Sequence, residues 1–233
     1  MTGGTPPLAP FVAALGQVLD RAAPLVRRHL VLADRTALHR GVIRRMWRRG
    51  PLGAIGGRLL HLESGPATDA RFELRNEIVS DGRGGVAMLW QRTYYVNARP
   101  VLGVGLLRWD AARRVLVDVI GKRKWLEVEL TPALDGRAVT MRSGRQWLRL
   151  LGLRLRLPQL LVGGARTREW EEPDGRLGLS LTLYHPLFGE YAGFRAMLVT
   201  MAGACALGAL ALLAPAPKSL NGARIRDILG VVW

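Results

Sequence analysis

The sequence predicts an α+β fold, in which a curved, mainly antiparallel β-sheet, shaped as a half-barrel or a barrel, follows N-terminal helices and precedes an apolar C-terminal helix. From about residue 70 to 199, apolar residues alternate with polar ones, and turn-forming residues separate the alternating segments. Before residue 50 the apolar residues recur at helical spacing, and after residue 195 a long uncharged segment begins. The predicted parts are 1–34 as an N-terminal helix and linker, 35–199 as a β-rich domain, and 200–233 as an apolar helix with a basic tail.

Two helices are predicted before the sheet. The first covers 8–22, where Pro24 ends or bends it. The second covers about 35–49 and ends at Gly50-Pro51. Its apolar stripe consists of Leu38, Val42, Ile43, Met46 and Trp47, and arginines fill the opposite side.

This basic amphipathic helix has two interpretations. It could lie in a membrane interface, with Trp47 in the headgroup zone and Arg44, Arg45 and Arg48 on phosphates. It could instead pack on its own domain and expose a solvated basic face, which is the interpretation we favour. No specific nucleic-acid binding is expected, because neither a helix-turn-helix nor a basic sheet with interleaved aromatic residues is evident.

Strand patterns occupy the middle of the chain. Hairpin loops are predicted at 80–85, 110–114 and 135–136, where aspartate and glycine cluster between alternating segments. Glycines within 101–109 predict a bulge or sharp curvature there. In 115–120 both faces of the strand are apolar enough to be partly covered, and 153–157 reads as a strand with a leucine face and an arginine face.

The segment 165–194 is the clearest hairpin. Leucines at 177, 179, 181 and 183 alternate with smaller or polar residues, which places them on one face of a strand. Pro173-Asp174-Gly175 supplies the turn before that strand. Cross-strand ion pairs with Arg176 explain the preceding glutamates, which are Glu169, Glu171 and Glu172.

Composition limits the function classes. The chain has 233 residues and a formal net charge of +16, which attracts anionic surfaces such as phospholipid headgroups. A single cysteine, Cys205, excludes an internal disulfide and a cysteine-rich zinc site. The N-terminus shows no cleavable secretory signal. The expected location is cytoplasmic, with membrane association through the C-terminal segment as the alternative.

The tail has two interpretations. From Ala196 to Pro217 there are 22 residues without a charge, enough to cross a bilayer as a helix, with Leu207, Leu210 and Leu212 in the hydrocarbon. Alternatively, the first of these residues form the last strand of the sheet. That would leave an apolar helix better suited to packing in the fold or to a membrane interface.

Several short motifs occur in a fixed order along the chain. They are Trp90-Gln91-Arg92, the glycine–leucine stretch 152–158, Glu169 before Asp174-Gly175, His185-Pro186-Leu187-Phe188-Gly189, and 191–194. In their order and spacing they resemble the bacterial domain of unknown function 4166. The resemblance covers about 41–199. In some relatives this domain is fused to a saccharopine-dehydrogenase-like reductase domain, which implies a reductase-type partner by analogy. It implies no activity, and no G-x-G-x-x-G follows a strand here.

Few residues suggest chemistry. His185, at a strand end near Tyr191, is a weak candidate for a general base, and a turn histidine bonded to backbone is the plainer interpretation. Arg92 shares one face of its strand with Trp90 and Tyr94, where it could hold a ligand carboxylate or phosphate or could be a paired core arginine. No histidine spacing indicates a metal site, and no cofactor is expected.

We therefore predict a non-enzymatic binding module whose concave sheet face holds a lipid or similar hydrophobe near an anionic membrane. Its candidate ligand-binding residues are Trp90, Arg92, Tyr94, His185 and Tyr191. An enzyme or redox accessory that uses His185 and Arg92 is the first alternative, and an interaction scaffold without a pocket is the second.

Overall fold

A computed structural model describes residues 9–59, 67–82, 84–96, 99–121, 125–150 and 152–201. The strands are β1 (Thr36–Arg48), β2 (Ala70–Ser80), β3 (Val86–Val96), β4 (Arg99–Asp110), β5 (Val115–Ile120), β6 (Leu126–Asp135), β7 (Ala138–Leu150), β8 (Leu153–Leu157), β9 (Gly164–Glu171), β10 (Leu177–His185) and β11 (Gly189–Thr200). The helices are α1 (Pro10–Leu15), a 3-10 helix (Gly16–Arg21), α2 (Pro24–Val31), α3 (Gly50–Leu59) and α4 (Gln159–Val162).

Ten of these strands close an antiparallel barrel. The order around it is β6-β5-β4-β3-β2-β1-β11-β10-β9-β7, and β7 returns to pair with β6. The eleventh described strand, β8, pairs with residues 146–150 of β7, whereas β9 pairs with residues 139–142 of β7. The barrel form of the predicted curved sheet is confirmed. The fold is mostly β with short helices, so the α+β class overstated the helical part.

The N-terminal helices close one end of the barrel. The backbone N–H of Ala23 donates to the carbonyl oxygen of Arg137 at 2.9 Å, and that of Leu25 donates to Glu171 Oε2 at 2.9 Å. Phe11 and Val26 are buried in the core. We call this the capped end, and the opposite end, where β7 turns into β8 and β10 turns into β11, the far end.

Alternation along the strands fills the interior. The four leucines of β10 are buried on the inner face, as predicted. Phe72, Tyr94 and Phe194 form an aromatic cluster inside, with ring centroids 5.1 to 5.8 Å apart. Hairpins join β2 to β3, β4 to β5 and β6 to β7 at the predicted loops.

The predicted helix over 35–49 is wrong, because these residues form β1. A bulge causes the misleading pattern: the register of β1 against β11 shifts between Ile43 and Arg45, so Arg44 is an extra residue. As a result Ile43 and Met46, three residues apart, are both buried. Three-residue spacing is also the spacing of a helix face.

The helix boundaries also differ from the prediction. Pro24 begins α2, because proline fits the first turn of a helix, where its missing N–H is not needed. Gly50-Pro51 likewise lies in the first turn of α3, where the sequence predicted a helix end. The predicted apolar C-terminal helix, with Leu207, Leu210 and Leu212, lies outside the described residues.

Candidate functional site

A cavity of about 110 Å³ lies in the barrel interior towards the far end. Most of its wall is apolar, and its polar wall groups include Arg92 and Asp118. The apolar wall consists mainly of Ile120, Leu126, Val128, Leu130, Leu157, Val162, Ala165, Leu181 and Leu183. A smaller cavity of about 30 Å³ adjoins the same two polar residues between β3, β4 and β5.

Trp90 and Asp118 form a hydrogen bond across β4. The indole N–H of Trp90 donates to Asp118 Oδ1 at 3.0 Å, and both residues are buried. Gly105 of β4 lies between them, since a Cβ there would stand 2.1 Å from Trp90 Nε1 and 2.8 Å from Asp118 Oδ1. A close approach of side chains therefore explains this glycine. The sequence had suggested a bulge or curvature there.

Arg92 is the central cation of the site. Its guanidinium carbon lies 3.9 Å from the centroid of the Trp90 ring, a cation–π contact. Its Nε–H is buried and has no hydrogen-bond partner among the described residues. A buried donor without a partner is costly, so this N–H is an energetically unfavourable feature of the barrel interior.

Two buried carboxyl groups interact electrostatically with this arginine, and burial raises the pKa of each. The pKa of Asp118 rises to about 6, against the opposing charge of Arg92 and the hydrogen bond from Trp90. The pKa of Glu169 rises to about 7, again opposed by Arg92. Protonation near neutral pH therefore changes the local charge from net negative to net positive.

A chain of buried polar groups connects α2 to four strands of the barrel. His29 Nδ1 lies 2.7 Å from His39 Nε2, and His39 Nδ1 lies 3.1 Å from Thr200 Oγ1. His29 Nε2 lies 3.3 Å from Asn76 Nδ2 and 3.4 Å from Glu169 Oε2. One set of tautomers fits the three hydrogen bonds: Asn76 donates to His29, His29 to His39, and His39 to Thr200. Asn76 Oδ1 and Glu169 Oε2 have no hydrogen-bond partner among the described residues.

Both histidines in this chain are held neutral. Burial lowers the pKa of His39 to about 4, with the charge of Arg28 adding to the effect. Burial, then the nearby His39 and Arg92, lower the pKa of His29 well below its ordinary value. The close approach of His29 to Glu169 is therefore a contact between uncharged groups when Glu169 is protonated. A true ion pair would need a charged histidine.

Four of the five sequence-predicted ligand residues line the cavities. Trp90, Arg92 and Tyr94 lie on the inner face of β3 and line the smaller cavity, and Trp90 and Arg92 also line the larger one. Tyr191 lines the larger one, and its hydroxyl donates to the carbonyl oxygen of Val162 at 3.4 Å. Burial raises the pKa of Tyr94, against the charge and hydrogen bond of Arg92, and burial also raises that of Tyr191, so both phenols stay protonated.

His185 is not part of either cavity wall. It ends β10 at the far end, where its Nδ1 accepts a hydrogen bond from the backbone N–H of Leu187 at 3.2 Å. Its ring lies 4.8 Å from that of Phe188, centroid to centroid. This is the geometry of a turn histidine, and the structure does not bring His185 together with Arg92.

The residues predicted to form an interfacial helix lie on a strand instead. Arg44 pairs with Asp69 at 2.9 Å, and the guanidinium of Arg45 lies 5.6 Å from the centroid of the Trp47 ring. Arg48 is the last residue of β1. The interfacial-helix interpretation is therefore wrong in its geometry. Within the described ranges, no helix has the length and apolar character needed to cross a membrane.

Sequence reasoning missed the acidic and histidine residues of the interior. Glu169 faces the barrel interior, and Arg176 pairs with Asp174 at 2.5 Å, so the predicted ion pair between Glu169 and Arg176 is wrong. Asp118 stands between apolar neighbours in β5, and this was the one local signal for a buried carboxyl. The part of the chain that the structure describes holds no group of three or more side chains suited to binding a metal ion.

Comparison with known proteins identifies the family. The model of the family described as Domain of unknown function (DUF4166) matches residues 22–198. The chain belongs to this family. The DUF4166 match covers the barrel and α2, so the predicted resemblance is confirmed over a wider range than its motifs. A fused reductase domain is not tested by this match.

Individual relatives add little to the DUF4166 assignment. "Uncharacterized protein YndH" of Bacillus subtilis (strain 168) is 33% identical over 82 residues, which are 34% of this chain and 40% of that protein. The chain thus spans well under half of that relative. A crystal structure named as a "putative thioesterase II" from Thermobifida fusca YX shares 11% identity over 85% of this chain and 88% of its own, with a TM-score of 0.23. Similarity at that TM-score carries no argument about activity.

Proposed function

We propose that the barrel is a binding module for a small amphipathic acid, whose apolar part occupies the interior cavity and whose carboxylate binds Arg92. The observation that carries this proposal is the buried Nε–H of Arg92, which lacks a partner among the described residues and belongs to a residue that lines an apolar cavity. A guanidinium donates to a carboxylate through charge-assisted hydrogen bonds, which are stronger than neutral ones. The apolar wall favours a hydrocarbon or ring as the rest of the ligand.

Cavity size limits the ligand class. About 110 Å³ is somewhat less than the roughly 150 Å³ of an apolar cavity that accepts benzene. A whole membrane lipid exceeds this volume. A short acyl chain suits a cavity of this size better than a ring, and this narrows the lipid predicted from the sequence to a small acid.

The two buried carboxyls make binding depend on pH. With Asp118 and Glu169 ionised, the three charges sum to −1 and oppose an anionic ligand. As the pH falls through about 7 and then about 6, both carboxyls become protonated and Arg92 remains as an unopposed cation. Affinity for a carboxylate should therefore rise as the pH falls from about 8 to about 5.5, down to the pKa of the ligand.

Isothermal titration of a chain-length series of straight-chain carboxylates, with the matching alcohols, tests this proposal. We expect Arg92→Met to weaken carboxylate binding by about ten- to a hundred-fold, the range of one hydrogen bond to a charged group. Arg166→Met is the matched control, because Arg166 lies outside the cavity wall and against the Tyr184 ring. Equal binding by both variants, or alcohols that bind as well as acids, would overturn the role of Arg92.

The alternatives make different predictions in the same experiment. An enzyme that uses His185 with Arg92 has no support from the geometry, since His185 lies outside both cavity walls. A scaffold without a ligand predicts no saturable heat with any member of the series. That result would leave the interior as a packed core and end the binding proposal.

A further inference from the structure

The segment from the end of β7 through α4 exposes an unusual number of apolar side chains at the far end. We call Leu150, Leu153, Leu155, Leu160 and Leu161 the leucine rim. Each is about half exposed or more, and Leu161 reaches 69%. Leu187 and Phe188, in the turn between β10 and β11, are exposed at the same end of the barrel. Contiguous exposed apolar surface is characteristic of interaction sites.

The charge of the same segment is one-sided. From Arg149 to Val162, 14 residues contain three arginines and neither an aspartate nor a glutamate. In β8, leucine and arginine alternate, and both kinds of side chain are exposed. Arg154 is paired with Glu127, whereas Arg149 and Arg156 have no carboxylate within ion-pair distance in the described part of the chain.

We propose that the leucine rim docks on an anionic phospholipid bilayer. Leucines would enter the interface while Arg149 and Arg156 meet lipid phosphates, the combination by which monotopic surfaces bind membranes. Nucleic acid would use the arginines and leave the leucines exposed. A protein partner or a second copy would use the leucines. The three arginines of residues 149–162, with no acidic residue among them, favour an anionic partner over a second copy of this basic chain.

The rim is continuous with the cavity wall. Leu157 ends β8 and Val162 ends α4, and both line the interior cavity. Docking through the rim would therefore bring the cavity next to the bilayer. The idea that the cavity takes amphipathic acids from the bilayer rests on the proposed function. The docking surface itself does not rest on it.

Vesicle co-sedimentation of the full chain tests the rim separately from the cavity. The probes are vesicles of phosphatidylcholine and vesicles that also contain phosphatidylglycerol. We expect wild type to bind the anionic vesicles and Leu160→Ser/Leu161→Ser to bind them about ten-fold more weakly, the effect of losing part of the interfacial burial of two leucines. Arg149→Gln/Arg156→Gln should remove the preference for phosphatidylglycerol.

Val18→Ser/Val199→Ser is the matched control, because these two exposed valines lie towards the capped end. It should bind vesicles as wild type does. Binding of the rim variant equal to wild type would place membrane contact elsewhere in the chain and overturn the proposal. So would failure of wild type to bind, or a rim substitution that changes the mass of the protein in solution, since that would make the rim a contact between copies. Carboxylate titration without vesicles tests the cavity independently of all these outcomes.

Discussion

Replacing Asp118 with asparagine should stabilise the protein at neutral pH and leave its stability nearly unchanged in acid. Burial raises the pKa of this carboxyl from its ordinary value of 3.8 to about 6. At pH values between these two, the folded protein therefore keeps a proton that the unfolded chain has released. The stability from this group is complete below about pH 4 and is lost as the pH rises through about 6. Asparagine does not titrate, and its side-chain oxygen still accepts the hydrogen bond from Trp90.

The magnitude follows from the size of the pKa shift. A difference of about 2 pKa units at about 1.4 kcal/mol per unit gives about 3 kcal/mol, and Asp118 is only 3% exposed, so solvent screening is small. The free energy of unfolding of Asp118→Asn minus that of wild type should rise by this amount between about pH 4 and about pH 7.5. Groups that titrate equally in both proteins cancel in the difference.

Urea unfolding with linear extrapolation, repeated across this pH range, measures the difference. Asp110→Asn is the control with the opposite sign. Partial burial alone would raise the pKa of Asp110, but the hydrogen bonds and the charge of Arg113 outweigh burial and hold this pKa below its ordinary value. Its stability contribution is therefore lost as the pH falls, and this variant should become less stable relative to wild type as the pH rises. A difference for Asp118→Asn that is constant or declines with rising pH would refute the buried-carboxyl assignment.

The packing of the interior makes two further predictions, both measurable by urea unfolding. Gly105→Ala should destabilise the protein by about 2–4 kcal/mol, because the new Cβ would stand 2.1 Å from Trp90 Nε1. Gly144→Ala is the control and should be neutral or slightly stabilising, because its Cβ would lie 3.6 Å from the nearest atom. Phe194→Ala removes one ring of the buried aromatic cluster and should lower the free energy of unfolding by about 3–5 kcal/mol. Val199→Ala, at an exposed position, should lower it by less than about 0.5 kcal/mol. Equal costs within either pair would contradict the packing on which that prediction rests.

Local sequence signals predicted the hairpins correctly. The leucine alternation of β10 and the Pro173-Asp174-Gly175 turn before it need only neighbouring residues to be recognised, and the structure has both. The helix predicted where β1 lies was wrong for an equally local reason. One extra residue at Arg44 placed two inward residues three apart, and a bulge cannot be distinguished from a helical stripe without the partner strand.

The polar part of the site could be predicted only in part. Trp90, Arg92 and Tyr94 lie on one strand, so their shared face was visible in the sequence. His29, His39, Asn76 and Glu169 come from α2, β1, β2 and β9, and only closure of the barrel brings them within hydrogen-bonding distance. Such long-range meetings leave no periodic signal in a single sequence.

Carboxylate binding at Arg92 is tested most directly by the NMR resonance of the Arg92 side-chain Nε–H. The resonance is assigned by its loss in Arg92→Met and is followed during titration with a short-chain carboxylate. A carboxylate bound in the barrel must give this donor an acceptor, so we predict a saturable change in its shift with the same dissociation constant as calorimetry reports. Ala165 lines the cavity, so the larger side chain of Ala165→Phe should occupy the ligand's space and abolish the change in shift. A resonance that does not move while the carboxylate binds would show that the ligand lies elsewhere and would contradict the account.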